Sequence, residues 1–373
     1  MSFELIQKHG DHEEVIFVNN KKSGLRAIIA IHNTALGPAL GGLRMWDYKT
    51  EEEALVDVLR LSKGMTYKAA ASGLNLGGGK AVIIGNPKKQ KTEALFRSLG
   101  AFINSLQGRY ITAEDIGTTV KDMEYIFMET PYVTGISKAL GGSGNPSPHT
   151  ALGVFMGMQA AIETKLKSKS FKDMRVAIQG AGNVGSHLLD LLYKEGAKVF
   201  VSDIDTDKLN FLQDKYPDLV VVEPDKILST PCEVLAPCAL GAVINDESIP
   251  NLQCEVIAGA ANNQLKTFEH GVQLYDKGIL YAPDYVINSG GLINVFVELE
   301  GYSYKRAEEK TAKIYDNTKA IFDLAKKRSI PSHQAALEFA ENRIKSVSAI
   351  RETYHGRLLR PFSHLEGMKN RQK

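Results

Sequence analysis

Residues 175–203 read RVAIQGAGNVGSHLLDLLYKEGAKVFVSD, and their pattern indicates the fold class. An apolar run, RVAIQ, leads into a glycine turn that opens a helical pattern, and a second apolar run, AKVFVSD, follows. Strand, helix and strand in this order indicate a βαβ unit with parallel strands. Further strand patterns near residues 233–236 and 254–258 extend the run. The sequence therefore predicts an α/β protein with a doubly wound parallel sheet.

The glycine turn, GAGNVG at residues 180–185, predicts a dinucleotide-binding site of the Rossmann type. Gly180 suits a tight turn, Gly182 lets a pyrophosphate approach the backbone, and Gly185 lets the helix pack closely on the strand. The start of the helix offers N–H groups and a partial positive charge to phosphates. The residues expected to contact the cofactor here are Gly180, Ala181, Gly182, Asn183, Val184 and Gly185.

An acidic residue follows the second strand at the expected distance. Asp203 lies 18 residues after Gly185, where a carboxylate can accept hydrogen bonds from an adenosine ribose and would repel a 2′-phosphate. NAD is therefore favoured over NADP as the cofactor. Turn glycines without a ligand and a solvated loop acid are the alternatives, and the joint presence of strand, helix and acid argues against them.

The composition excludes several other classes of protein. Of the 373 residues, 45 are Lys or Arg and 43 are Asp or Glu, so the net charge of +2 is too small for the basic field of a nucleic-acid-binding protein. No stretch approaches the ~20 apolar residues of a membrane-spanning helix, and the first residues lack the apolar core of a secretion signal. The three cysteines have no metal-binding spacing, so we expect reduced thiols, no metal site and a cytoplasmic protein.

The chain is long enough for two domains, and its composition changes at GGSGNPSP, residues 141–148. Alternating strand and helix patterns predict a mixed α/β domain over residues 1–140, and the dinucleotide-binding domain is predicted over residues 141–331. Two long helical patterns close the sequence. The second, with the residues after it (332–373), is expected to return to the first domain, although periodicity does not decide this.

Two lysines of the first domain stand out by their surroundings. Lys80 follows three glycines and begins the apolar strand AVIIG, where the glycines would let the backbone approach a small ligand. Lys68 lies beside an apolar row of a helix predicted over residues 51–71. Two ammonium groups near a pocket of low dielectric lower each other's pKa, so one could act as a base while the other binds a carboxylate. Snorkelling to solvent is the alternative for Lys68.

A carboxylate accompanies them on the predicted strand RYITAED, residues 109–115. Period-two alternation places Ile111, Ala113 and Asp115 on one face of this strand. A carboxylate on an apolar face indicates a functional site. A helix cap or a structural ion pair is the alternative role for Asp115.

Together these segments resemble the glutamate, leucine, phenylalanine and valine dehydrogenases. LNLGGGKAVIIGNP, residues 74–87, is similar to that family's signature around its catalytic lysine. The resemblance extends over almost the whole chain, as far as about residue 362. Its other motifs are GPALGGLRMW, GMTYK, ITAEDIGTT, YVTGI, SGNPSP, GAGNVG, PCALGAVIN, ANNQL and YAPDYVINSGG.

The resemblance implies a role for each candidate residue. Lys80 would be the general base, Lys68 would bind the substrate carboxylate, and Asp115 would move protons. The backbone of Gly41 and Gly42 would approach the substrate. Polar contacts to substrate or nicotinamide are implied for Thr134, Thr150 and Asn262, whereas His149 is expected in a surface loop. Asn288, Leu292 and Val295 would share one helical stripe aimed at the substrate side chain.

The implied reaction is the reversible oxidative deamination of an L-amino acid with NAD, which yields a 2-oxo acid, ammonia and NADH. The substrate side chain would contact residues that are all apolar, which favours a branched aliphatic side chain and disfavours glutamate. These residues are Leu40, Ala113, Leu292 and Val295. Phenylalanine or valine as the preferred substrate is the alternative within the family, since Ala113 is small.

The resemblance also implies a homo-oligomer, commonly an octamer, whose contacts would involve the first domain. Its partners would be the small-molecule substrates, with no nucleic acid and no membrane. An alternative from another class is a protein that binds NAD but has lost the chemistry. The presence of Lys68, Lys80 and Asp115 together argues against it.

Overall fold

The computed structural model describes residues 2–353, which form two compact units. The first unit comprises the chain up to Asn145, the segment Val295–Tyr304 and the last helix from Ala340 onward. The second comprises Pro146–Asn294 and Lys305–Phe339. Each unit has its own sheet, so the predicted two-domain α/β architecture with a Rossmann-type second domain is confirmed.

The first unit is built on a mixed sheet of five strands in the order β1-β2-β4-β3-β5. β1 pairs antiparallel with β2, and β2 pairs antiparallel with β4. β3 lies between β4 and β5 and is parallel to both. The strands are β1 (Glu14–Asn20), β2 (Leu25–Asn33), β3 (Ala39–Trp46), β4 (Gly77–Ile84) and β5 (Tyr110–Glu114).

Three of the helices in the first unit begin at threonine caps. The hydroxyl of Thr50 accepts a hydrogen bond from the backbone N–H of Glu53 at 3.1 Å, and Thr92 and Thr119 cap the next two helices in the same way. Such caps satisfy N–H groups that the first turn of a helix leaves unpaired. The helices are α1 (Ser2–His9), α2 (Glu51–Ala71), α3 (Glu93–Ser105) and α4 (Val120–Phe127).

The second unit contains a parallel sheet of six strands in the order β11-β10-β9-β6-β7-β8. Counted within this unit, the order is 6-5-4-1-2-3, which is the doubly wound arrangement of dinucleotide-binding domains. Its strands are β6 (Arg175–Gln179), β7 (Lys198–Ser202), β8 (Val220–Val221), β9 (Val234–Pro237), β10 (Val256–Ile257) and β11 (Leu280–Tyr281).

The remaining helices follow in chain order. They are α5 (Ser147–Leu166), α6 (Asn183–Lys194), α7 (Thr206–Lys215), α8 (Phe268–Asp276), α9 (Asp284–Ile287), α10 (Gly290–Leu299), α11 (Tyr304–Ala312), α12 (Ile314–Arg328) and α13 (Ser332–Thr353). Within residues 2–353, no helix combines the length and the apolar character that crossing a membrane requires.

The bounds of the units differ from the predicted ones in three places. Residues 141–145 group with the first unit, because Ser143 donates two hydrogen bonds, from its N–H and its hydroxyl, to Oε2 of Glu298. Residues 295–304 belong to the first unit for the same reason. Residues 332–339 group with the second unit, where the Ser332 hydroxyl donates to the carbonyl of Tyr281. Residues 340–353 group with the first unit, and the remainder of the predicted C-terminal segment, 354–373, lies outside the described residues.

Candidate active site

Three neighbouring strands of the first unit bring a lysine and an aspartate together over a glycine. Gly42 of the middle strand, β3, pairs with Ala113 of β5. A Cβ atom at Gly42 would lie 3.2 Å from Nζ of Lys80 on β4 and 2.8 Å from Cβ of Asp115, the residue that follows β5. Because Gly42 has no side chain, the lysine and the aspartate meet in the space above it.

Lys80 and Asp115 form a buried ion pair in this space. Nζ of Lys80 donates to Oδ2 of Asp115 at 2.7 Å, and the two side chains are 7% and 23% exposed. Nε of Arg44, on β3, donates to the same oxygen at 3.1 Å. Asp115 therefore receives hydrogen bonds from two cations, one of which is almost completely removed from solvent.

Burial is the largest influence on the acidity of both groups. It lowers the pKa of Lys80; the charge of Asp115 opposes this effect and that of Arg44 adds to it, and the net direction is downward. Burial alone would raise the pKa of Asp115, but the charges of Lys80 and Arg44 hold it below its ordinary value. A lysine whose pKa is lowered gives up its proton more readily than an exposed lysine, which suits it to general base catalysis.

The pKa of Lys80 is lowered by the charge of Arg44, a residue that was not predicted from the sequence. Two lysines were expected to lower each other's pKa, but the charge that lowers the pKa of Lys80 most, after burial, is that of Arg44. A signal was present in the sequence, because Arg44 is the one charged residue of the strand ALGGLRMW and lies two residues after Gly42. Period-two alternation places it on the same face as that glycine.

The glycines before Lys80 serve packing inside the protein. A Cβ atom at Gly78 would lie 2.2 Å from the backbone nitrogen of Thr66 on α2, and one at Gly79 would lie 2.8 Å from the Tyr110 ring. A Cβ atom at Gly41 would lie 1.7 Å from the carbonyl oxygen of Gly79. The glycines thus let β3, β4 and α2 approach one another closely.

Lys68 lies in the last turn of α2 and is partly buried. The helix ends three residues later, at Ala71, and Arg343 of α13 binds this end by donating to the carbonyl oxygens of Ala70, Gly73 and Leu74. A cation at a helix C-terminus is favourable because the carbonyl groups there carry a partial negative charge. Arg343, which the sequence reasoning also missed, fixes the helix that carries Lys68.

The remaining predicted residues of the first unit lie along β5, on β3 and in α10. Thr134 is fully buried, and its backbone N–H and its hydroxyl both donate to the carbonyl of Thr112, at 2.9 and 3.3 Å. Leu40 and Ala113 are buried side chains of β3 and β5, and Val295 of α10 is partly buried. The structure thus places Thr134 beside the strand that leads to Asp115.

In the second unit, the glycine turn has the geometry that its spacing predicts. Gly180 has a φ of +98°, in the region that favours glycine, and a Cβ atom at Gly185 would lie 2.0 Å from the carbonyl oxygen of Gly180. A Cβ atom at Gly182 would have nothing within 4 Å, so the backbone is open to a ligand there. Asn183 begins α6, whose first N–H groups can bind a phosphate.

Asp203 follows β7 and is attached to this turn. Its Oδ2 accepts a hydrogen bond from the N–H of Ala181 at 2.6 Å, and its Oδ1 accepts one from Asp205 at 3.0 Å. The carboxylate is therefore held beside the glycine turn. In dinucleotide-binding domains, the phosphates lie at an open glycine and a helix start, and the ribose lies at an acid that follows the second strand. All three features are present here, so the residues fit such a cofactor.

The structure also joins two predicted asparagines. Nδ2 of the buried Asn288 donates to Oδ1 of Asn262 at 2.8 Å and to the carbonyl of Ala260 at 3.1 Å. Asn288 lies between α9 and α10, so it does not share a continuous helical stripe with Leu292 and Val295 as predicted. The helix is interrupted at residues 288–289, and a Cβ atom at Gly290, the first residue of α10, would lie 1.9 Å from the carbonyl oxygen of His149.

The segment around Thr150 is more buried than expected. The Thr150 hydroxyl donates to the carbonyl of Pro146 at 3.1 Å in the first turn of α5, and it lies 2.8 Å from the position of a Cβ atom at Gly291. His149 is 3% exposed in the same turn, so its predicted place in a surface loop is wrong. Among residues 2–353, no cluster of three or more His, Cys, Asp or Glu side chains could hold a metal ion.

Two family models cover most of the chain. The model for the Glu/Leu/Phe/Val dehydrogenase dimerisation domain matches residues 12–132. The Glutamate/Leucine/Phenylalanine/Valine dehydrogenase model matches residues 141–207 and 203–351.

Similar proteins have different amino-acid substrates in their names. The chain is 54% identical to a leucine dehydrogenase of Thermoactinomyces intermedius over 94% of this chain and 96% of that protein. It is 47% identical to a phenylalanine dehydrogenase of Bacillus thermotolerans over 95% of this chain and 94% of that protein. The crystal structure of L-tryptophan dehydrogenase from Nostoc punctiforme matches with a TM-score of 0.84 and 46% identity, covering 93% of this chain and 99% of that one. The chain therefore belongs to the Glu/Leu/Phe/Val dehydrogenase family and is an amino-acid dehydrogenase.

Proposed function

We propose that this chain catalyses the reversible NAD-dependent oxidative deamination of branched-chain L-amino acids, with L-leucine preferred and valine and isoleucine also accepted. The observation that carries the proposal is the buried pair of Lys80 and Asp115 above Gly42, which provides a base and a carboxylate at one point. The high identity to a leucine dehydrogenase over nearly the whole chain supports the choice of substrate.

In the proposed reaction, the bound cofactor supplies the chemistry of accepting a hydride from the substrate α-carbon. Lys68 binds the substrate carboxylate by its positive charge. Neutral Lys80 takes a proton from the water that attacks the imine carbon, and Asp115 exchanges protons with the departing amine. The directions of the pKa shifts agree with these roles, because a neutral lysine and an ionised aspartate are the forms required.

For the cofactor, we propose NAD. The turn from Gly180 to Gly185 and the start of α6 would hold the phosphates, and Asp203 would accept hydrogen bonds from the adenosine ribose. The Asp203 carboxylate, which is held beside the turn, would repel the 2′-phosphate of NADP. Thr150 and Asn262 would provide hydrogen bonds near the nicotinamide.

The preference for a branched aliphatic side chain rests on four residues proposed to contact it. All four are apolar, so a glutamate side chain would lose its hydration without gaining a partner charge. They are Leu40, Ala113, Leu292 and Val295. Phenylalanine is the second candidate substrate, because Ala113 is small and a phenylalanine dehydrogenase is 47% identical.

We further propose a homo-oligomer, an octamer, that acts in the cytoplasm. Residues 12–132 match a dimerisation domain, which supports self-association through the first unit. The number of subunits rests on the resemblance to the family.

Initial rates test the proposed function. We expect NAD reduction to be fastest with leucine, followed by isoleucine and valine, then phenylalanine and tryptophan, with glutamate slowest. Leucine and isoleucine are isomers, whereas valine has one methylene fewer; one methylene is worth about 1–3 kcal/mol, so kcat/KM for valine should be about 10–200-fold lower than for leucine. Replacing NAD by NADP should lower kcat/KM.

Two outcomes would contradict the proposal. A preference for glutamate would refute the role of the apolar residues. If the chain binds NADH but does not oxidise it when ammonia and a 2-oxo acid are added, it is a binding protein that lacks the chemistry.

A further inference from the structure

A chain of hydrogen-bonded charges extends from Lys80 to the start of α2. Arg44 donates from Nε to Oδ2 of Asp115 at 3.1 Å and from Nη1 to Oδ2 of Asp57 at 2.8 Å. The Tyr48 hydroxyl donates to the same oxygen of Asp57 at 2.7 Å. One guanidinium therefore joins the carboxylate that holds Lys80 to a second carboxylate on α2.

This arrangement fixes Arg44 from two sides. Its side chain is 17% exposed, and that of Asp57 is 16% exposed, so both ion pairs are largely shielded from water. Planar guanidinium groups hold carboxylates with defined geometry, whereas a lysine at this position could reach only one of the two carboxylates well. Arg44 and Lys80 also converge on the same oxygen of Asp115, so the position of Arg44 determines where that oxygen lies.

We propose that Arg44 is a positioning residue of this dehydrogenase, which orients the Asp115 carboxylate toward Lys80 and, together with Asp57, sets the charge balance around the reactive amine. The inference rests on the proposed function, in which Lys80 acts as a base. The inference goes beyond the proposed function because it gives Arg44 and Asp57 a part in the reaction, although neither is proposed to touch the substrate.

Arg44 and Asp57 have opposite effects on the pKa of Lys80, and this difference can be tested. The positive charge of Arg44 lowers the pKa of Lys80, whereas the negative charge of Asp57 raises it. Burial raises the pKa of Asp57, but Tyr48 and Arg44 hold it below the ordinary value, so Asp57 is ionised at neutral pH. Other titratable or charged side chains lie on the elements packed against Lys80 and Asp115 or contact Asp57. They are Tyr48, Arg60, Lys68, Tyr110 and Glu114.

The experiment compares the pH dependence of kcat in Arg44→Met and Asp57→Asn variants of the full chain. If Lys80 must be neutral, kcat rises with pH through the pKa of Lys80. Loss of Arg44 removes a charge that lowers this pKa, so the rise should move to higher pH. Loss of the Asp57 charge should move it to lower pH. We expect each shift to be about one pH unit.

Two further variants separate positioning from structure. Arg44→Lys keeps the positive charge, so its pH dependence should stay close to that of the wild type although kcat falls. Arg26→Gln is the matched control, because Arg26 forms an exposed ion pair with Glu51 and lies on β2 of the same sheet. It should leave both the rate and the pH dependence unchanged.

The outcomes distinguish this inference from the proposed function. Shifts of opposite sign support it. Lower rates with no shift, or shifts of the same sign in Arg44→Met and Asp57→Asn, overturn it and leave Arg44 a structural residue. If the wild type oxidises no amino acid, the proposed function fails. The reaction of Lys80 with trinitrobenzenesulfonate as a function of pH, followed by mass spectrometry, then tests the same two opposite shifts without any need for turnover.

Discussion

Replacing Lys80 with alanine is expected to lower kcat for leucine oxidation by about 10²–10⁴-fold, the range that general acid–base catalysis usually contributes. The variant lacks the amine that would deprotonate water, whereas the Asp115 carboxylate keeps its hydrogen bond from Arg44. NADH binding should persist, because the residues proposed to bind the cofactor belong to the second unit, whereas Lys80 belongs to the first.

The measurement combines steady-state rates with a titration of NADH fluorescence. Lys80→Met is the companion variant, since its side chain fills the space of the lysine and guards against loss of activity through a cavity. Lys345→Ala is the control, because this lysine is 74% exposed on α13. Wild-type turnover in Lys80→Ala would refute the assignment of Lys80 as the base.

Gly42→Ala is expected to lower kcat/KM by about 10²-fold or more, although it adds only one methyl group. That methyl would lie 2.8 Å from Cβ of Asp115 and 3.2 Å from Nζ of Lys80, so the two side chains would have to separate. A misplacement of about 1 Å at a reacting group can cost a factor of this size. The comparison uses kcat/KM for leucine and the pH dependence of kcat.

Gly64→Ala provides the matched control for this substitution. Gly64 lies within α2 of the same unit, and a Cβ atom there would have nothing within 4 Å. Alanine should therefore stabilise the helix by about 0.5–1 kcal/mol and leave the activity unchanged. Equal activity of Gly42→Ala and Gly64→Ala would show that the space above Gly42 has no role in catalysis.

Features that depend on local spacing could be predicted from the sequence. The positions of Gly180, Gly182 and Gly185 follow from one turn between a strand and a helix, and Asp203 follows at the end of the next strand. The choice of Lys80 as the base came from the family resemblance. Strand alternation put Asp115 on an apolar face, but its contact with Lys80 could not be derived from either strand alone.

Features that depend on which strands are neighbours could not be predicted. Lys80 and Asp115 meet because β3 lies between β4 and β5, an order that differs from the order in the chain. Periodicity gives the face on which a side chain lies but not the neighbour that it contacts. The same limit hid Arg44 and Arg343, whose partners lie 71 and about 270 residues away in the chain.

The expected stripe of Asn288, Leu292 and Val295 was wrong for a related reason. Four-then-three spacing indicates one helical face only when the helix is continuous. Here a turn at Asn288 and Ser289 separates α9 from α10, and the Asn288 side chain donates to Asn262. The spacing therefore does not correspond to one helical face.

In the proposed reaction, Lys80 acts as a neutral base in a buried site. The pH dependence of kcat for leucine oxidation by the wild-type chain, at saturating leucine and NAD, tests it most directly. The deprotonated fraction of Lys80 grows as the pH rises, and burial places its pKa below 10.5. We predict that kcat rises along one ascending limb whose midpoint lies below pH 10.5, the ordinary pKa of lysine. A kcat that is constant from neutral pH upward, or that begins to rise only above the ordinary pKa of lysine, would contradict the account.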